Sequence, residues 1–199
     1  LCSGPSKDLK YFEQVNKYYE SLHDLNVSVD IIRSDENLSQ YDMVVAPLLY
    51  MIKPGVADHI ERFVAEGGTF VTSFFSGIVN ANDRVFPGGY PGELKKVLGI
   101  WVEEFDALLP SMRNTIVMKK PAGDRSGEYE CGLLCDIINL EGAEALAVYG
   151  KDFYAGKPCF TVNQYGKGKA YYVGTDPEDR FLKIFMKDLC AERRIEAPI

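Results

Sequence analysis

The amino-acid sequence predicts an α/β layered fold with a mostly parallel sheet, and three observations carry the prediction. Amphipathic stretches with three- and four-residue spacing alternate with short β-branched and apolar runs. One such run, Met43-Val44-Val45-Ala46, is apolar throughout, as a strand covered on both faces must be. Proline and paired glycine stand at the start and end of a helical stretch, Pro54 and Gly67-Gly68.

The first predicted element is a helix. From Leu9 to Leu25, Phe12, Val15, Tyr19, Leu22 and Leu25 recur on one face, predicting a helix with that stripe inward. Val27 to Ile32 alternates like a strand, and Asp42 to Pro47 holds the apolar run. Pro54 opens a helix whose stripe is Val56, Ile60, Phe63 and Val64; the β-branched and aromatic segment Thr69 to Phe75 then predicts a third strand. These three strands are expected as neighbours in one sheet. The Gly- and Pro-rich stretch Ser76 to Gly92 is longer than the roughly 12 to 15 residues of a plain connector, which marks it as a functional or mobile loop. A short helix at Glu93 to Leu98 is ended by Gly99. Strands are predicted at Thr115 to Met118, Ala145 to Tyr149, Cys159 to Asn163 and Lys169 to Val173, with turns at Gly150, Gly156 and Gly166-Lys167-Gly168. A closing helix, Glu178 to about Arg193, turns Phe181, Ile184, Phe185 and Leu189 inward. A layered α/β domain normally begins with a strand, whereas this chain begins with a Gly-Pro loop and a helix. The expectation is that a first strand upstream of Leu1 is missing, and that residues 1–199 are one domain of a longer protein.

Composition bounds the function. With 199 residues, 46% of them hydrophobic, the chain can build one sizeable core without disulfide or metal staples. Cys2, Cys131, Cys135, Cys159 and Cys190 are odd in number and contain no C-x-x-C pair, so they read as buried free thiols in a reducing, cytoplasmic setting rather than a zinc site. A net charge of −7 with scattered Lys and Arg argues against nucleic acid, and no apolar run approaches the ~20 residues of a membrane span.

Catalytic machinery is not legible. The turn after Thr69 to Phe75 is where hydrolases and class I glutamine amidotransferases place a Ser or Cys at a strained elbow. Ser73 and Ser76 lie near it, but neither sits in G-x-S-x-G, and no cysteine falls between Cys2 and Cys131. A base would come from late in the chain, yet the two histidines, His23 and His59, come early. The doublets Asp35-Glu36 and Glu103-Glu104, with Asp106, cannot flank a glycosidic bond, since neighbours on a strand face opposite ways. They read as solvated surface, as do Asp124, Glu128 and Glu130. No glycine pattern cradles phosphate. No catalytic residue, metal ligand or cofactor is predicted.

The run Tyr41-Asp42-Met43-Val44-Val45-Ala46-Pro47-Leu48-Leu49-Tyr50, then Phe63-Val-Ala-Glu-Gly67-Gly68-Thr69, Ser76-Gly77-Ile78-Val79-Asn80-Ala-Asn82-Asp83-Arg84-Val85, Gly89-Tyr90-Pro91-Gly92 and Val102-Glu-Glu-Phe105-Asp106 resembles the trimerisation domain of glycoside hydrolase family 42 β-galactosidases. The likeness extends to Tyr18-Tyr19-Glu-Ser-Leu22 and to Tyr165-Gly-Lys-Gly168-Lys-Ala-Tyr-Tyr172-Val-Gly174-Thr175, nearly the whole chain. It implies a flavodoxin-like, class I amidotransferase-like fold, an elbow without a nucleophile, and a homotrimeric parent that hydrolyses terminal β-D-galactosides with glutamates of a separate barrel. This chain alone is then expected to be inactive. The loop residues Ile78, Val79, Arg84, Phe86 and Tyr90 are the candidate interface, because aromatic and Arg side chains suit interface cores. Two other classes compete. One is a stand-alone amidotransferase-like enzyme; the other is a sugar-binding accessory domain using Trp101 and the tyrosines as stacking platforms.

Overall fold

The computed structural model describes residues 6–120 and 127–195. Helix α1 (Tyr11–His23) leads to β1 (Met43–Ala46), the short β2 (Met51–Ile52), α2 (Val56–Glu66) and β3 (Thr69–Ser73). The short β4 (Val79–Asn80), a 3-10 turn (Gly92–Leu94) and α3 (Lys95–Leu98) come next. Seven strands then run without an intervening helix among the described residues: β5 (Ile100–Ala107), β6 (Asn114–Met118), β7 (Glu128–Leu140), β8 (Glu144–Tyr149), β9 (Pro158–Tyr165), β10 (Gly168–Val173) and β11 (Thr175–Pro177). Helix α4 (Asp179–Arg193) closes the fold.

The main sheet is mixed, in the order β1-β3-β10-β9-β8-β6-β7-β11, with β5 also on β7. β1, β3 and β10 are parallel neighbours, and every other pair in this sheet is antiparallel. The reason is connection length: a parallel return needs a crossover of a dozen or more residues, and the turns between β8 and β9 and between β9 and β10 are too short. Alternate residues of the parallel strands feed two cores. Val71, Tyr171 and Val173 join Phe160, Phe181 and Phe185 beneath α1 and α4. Phe70, Ala170 and Tyr172 join Ile60, Phe63, Val97 and Leu98 beneath α2 and α3.

Three sequence expectations need correction. Helix α1 buries Gln14, Tyr18, Ser21 and Leu22, while Phe12 is 84% exposed and Tyr19 is exposed too. Leu22 and Leu25 of the expected stripe do reach the core, but the buried face is rotated toward Gln14, Tyr18 and Ser21. Lys17 Nζ reaches Asp176 Oδ1 at 2.6 Å and the Pro177 carbonyl at 2.8 Å, seating the helix against β11. Val27 to Ile32 forms no strand: Val27 and Val29 do pack on the core in the expected alternation, but the backbone finds no ladder partner among the described residues. Of the three strands expected side by side, only β1 and β3 are. Glu128 and Glu130, expected as solvated surface, stand exposed on β7; Asp124 lies outside the described residues, as does Cys2.

Candidate functional site

In an α/β sheet the chemistry sits beyond the carboxyl ends of the parallel strands, and here the turns after β1 and β3 build that corner. Phe75, in the turn after β3, takes the left-handed conformation with φ of 59°. Its ring stacks on Tyr50 at 5.3 Å and meets Phe105 edge-on at 6.0 Å. The nearby hydroxyls are committed to the backbone. Ser73 Oγ accepts from the Leu48 amide at 3.0 Å, and Ser76 Oγ from the Leu49 amide at 2.9 Å. Thr72 Oγ1 donates to the Ala46 carbonyl at 2.7 Å and lies 2.8 Å from Ser76 Oγ. They hold the β1 turn, where Leu48 itself has φ of 48°. His23 stacks on Tyr19 at the surface of α1, and neither it nor His59 hydrogen bonds to Ser73 or Ser76.

Beside this corner lies a carboxyl that sequence reading passed over. Asp136, fully buried on β7, accepts from the Tyr172 hydroxyl through Oδ2 at 2.5 Å and faces the Phe75 backbone amide, while Oδ1 makes no hydrogen bond of full geometry. Burial pushes this carboxyl up to about 7, against the pull of the Tyr172 hydrogen bond. Burial likewise raises the Tyr90 phenol, with the Asp136 charge adding to it. The only sequence signal was an acidic residue inside the apolar run Leu133 to Ile138.

The long loop from Ser76 to Gly92 is folded rather than slack. β4 pairs with β2 in parallel, Val79 bridges Val85, and Tyr90 bridges Val102. Asn80 Oδ1 accepts from the amides of Asn82 and Arg84, and the Tyr50 hydroxyl reaches Asp83 at 3.1 Å. Gly77 has φ of 64°, and a Cβ there would lie 2.3 Å from the Pro91 carbonyl oxygen, so both strain and space require glycine. The five candidate interface residues therefore separate. Ile78 (8% exposed) and Val79 (1%) belong to the core under the loop, and Phe86 and Tyr90 are half-buried. Arg84 is exposed, beside the exposed Val85. Trp101 is half-buried, with its Nε1 donating to the Gly88 carbonyl at 3.0 Å.

The profile of the β-galactosidase trimerisation domain matches residues 2–196. The chain belongs to that family. This trimerisation domain is 57% identical over 196 residues to β-galactosidase BgaA of Planococcus sp. strain 'SOS Orange', covering 98% of the chain and 29% of the relative. The β-galactosidase of Bacillus circulans sp. alkalophilus, 52% identical, superposes with a TM-score of 0.97 over 99% of the domain and 29% of that structure. Gan42B, a GH42 β-galactosidase from G. stearothermophilus, is 31% identical with a TM-score of 0.90, covering 98% and 28%. The trimerisation domain thus spans less than a third of the length of the curated relatives it matches. Among its described residues no group of three or more His, Cys, Asp or Glu could hold a metal ion, and no helix is long and apolar enough to cross a membrane.

Proposed function

We propose that this domain is the non-catalytic, self-associating module of a cytoplasmic bacterial family 42 β-galactosidase, whose catalytic glutamates lie in a barrel outside residues 1–199. The observation that carries the proposal is the corner beyond β3, where an elbow geometry is kept while Phe75 takes the nucleophile's place and Ser73 and Ser76 are spent on backbone amides. Assembly comes from the family: a homotrimer closes when each subunit sets one patch against a different patch of its neighbour. Arg84, presented by a loop anchored on Ile78 and Val79 and flanked by Phe86 and Tyr90, suits the rim of such a patch.

The fold reading is a flavodoxin-like, amidotransferase-like sheet in which one more parallel strand belongs beside β1. All four residues of β1 are only half-buried, and the extended Val27 to Ile32, packed on the same core, lacks a ladder partner among the described residues. A strand between the two satisfies both edges.

The isolated chain is expected to leave a chromogenic β-galactoside intact under conditions where the full-length enzyme hydrolyses it. Turnover by purified chain, after exclusion of host galactosidase, overturns the non-catalytic assignment.

A further inference from the structure

Spacing in the sequence marks Phe12, Val15 and Tyr19 for the inner side of α1, and the fold leaves all three outside the core. Gln14, Tyr18, Ser21 and Leu22 take the inner side instead. Phe12 is 84% exposed, its neighbour Tyr11 55% and Tyr19 37%, while Val15 is half-buried. Tyr11 and Phe12 meet edge-on at 5.6 Å, and Tyr19 stacks on the exposed His23 at 5.8 Å.

Positions i, i+3 and i+7 fall on one line along a helix, so Phe12, Val15 and Tyr19 form a continuous face. The charged side chains of the helix stand off that line and are engaged elsewhere. Glu13 pairs with Lys10, Lys17 with Asp176 and Asp179, and Glu20 accepts from Asn16. Among the described residues, α2, α3 and α4 leave no large apolar side chain exposed. With roughly 200 Å² for a whole aromatic side chain, the three exposed rings of α1 present on the order of 350 Å². Apolar patches of about 300 to 600 Å² are the largest that ordinary monomers carry, and they are often functional.

The nature of the occupant rests on the self-association proposed above. A ring of identical subunits needs two different patches on each one. The Arg84 loop supplies little apolar surface by itself: Ile78 and Val79 face inward, Phe86 and Tyr90 are half-buried, and Val85 is its one exposed large apolar side chain. A stable contact takes about 800 Å² from each partner, with a centre rich in aromatics and poor in charge. The outer face of α1 has that composition.

We propose that the Phe12, Val15 and Tyr19 face of α1 is a contact with a second copy of this chain in the homotrimer, separate from the Arg84 loop. Phe12 is its anchor, and Tyr11 and Tyr19 offer apolar rings inward while their hydroxyls stay at the wet margin.

The test uses the full-length enzyme. With Phe12→p-benzoylphenylalanine, irradiation is expected to yield a covalent product with the mass of two chains. Phe12→Ser combined with Tyr19→Ser is expected to weaken association roughly thirtyfold per residue, so light scattering at matched concentration reads less than three chains while the melting transition is retained. A three-chain mass in the double variant overturns the proposal. So does a crosslink that forms only within one chain, which would place the rest of the same polypeptide over α1, or no crosslink at all. A wild type with the mass of one chain removes self-association itself; a trimeric wild type with an unaffected variant removes only α1 from the interface. If the double variant does not fold, the crosslink decides alone.

Discussion

The corner beyond the parallel strands and the middle of β7 handle buried polar groups in opposite ways. At the corner, the hydroxyls of Thr72, Ser73 and Ser76 are fully enclosed and each meets a backbone group or another hydroxyl, so the polarity rigidifies the turns. On β7, Asp136 is as deeply enclosed, yet Oδ1 makes no hydrogen bond of full geometry and burial raises the carboxyl. Satisfied polar groups inside a sheet act as fasteners. Unsatisfied ones store a dependence on protonation state.

The core beneath α1 and α4, against which Cys135 of β7 also packs, gives the largest expected effect. Phe160 on β9, fully buried, touches Tyr171, Phe181 and Phe185. Phe160→Ala is expected to cost about 3 to 5 kcal/mol, measured by urea unfolding. A loss below about 1 kcal/mol would show that the ring is not packed as tightly as its contacts with Tyr171, Phe181 and Phe185 imply.

Asp136→Asn separates the regions by sign. The native carboxyl titrates at about 7 and the unfolded one near 3.9, so the folded state holds an extra proton between those values. The stability this proton contributes is fully present below about pH 4 and is lost as pH rises to about 7. The variant is expected to flatten that slope and to be more stable than wild type at pH 8, by on the order of 2 kcal/mol. A pH profile of melting temperature that keeps its slope in the variant removes Asp136 as its source.

At the corner the sign reverses. Ser76→Ala leaves the Leu49 amide buried without its acceptor and is expected to destabilise by about 1 to 2 kcal/mol at every pH between 5 and 8. In the full-length enzyme kcat is expected to be unchanged. A drop in kcat with unaltered melting would make Ser76 a working hydroxyl after all.

Much of the fold was legible because periodicity and punctuation agreed. The inward stripes of α2 and α4, the turn at Gly166 and the four later strands stand where alternation and glycine placed them. Helix α1 misled because its seat is set by long-range contacts, among them Lys17 to Asp176 and Asp24 to Lys183 on α4, which local spacing does not show. β7 was missed because Gly132 and Asp136 interrupt an apolar run, which is how a bulge and a buried acid look in one dimension. The antiparallel half had a signal in the lack of any helical stretch between β5 and α4. Of the candidate interface, composition marked the loop correctly as unusual, but Ile78 and Val79 face inward because a loop this long needs a core of its own.

The assembly claim is tested most directly by the molar mass of the full-length protein in solution, read by light scattering on wild type and on Arg84→Ala with Phe86→Ala at matched concentration. Wild type is expected at the mass of three chains. Interface Arg and aromatic side chains contribute about 2 kcal/mol or more each, roughly thirtyfold per residue in association, so the variant is expected at lower mass with its melting transition retained. A wild-type mass of one chain contradicts the account, and a variant that stays trimeric removes the Arg84 loop from the interface.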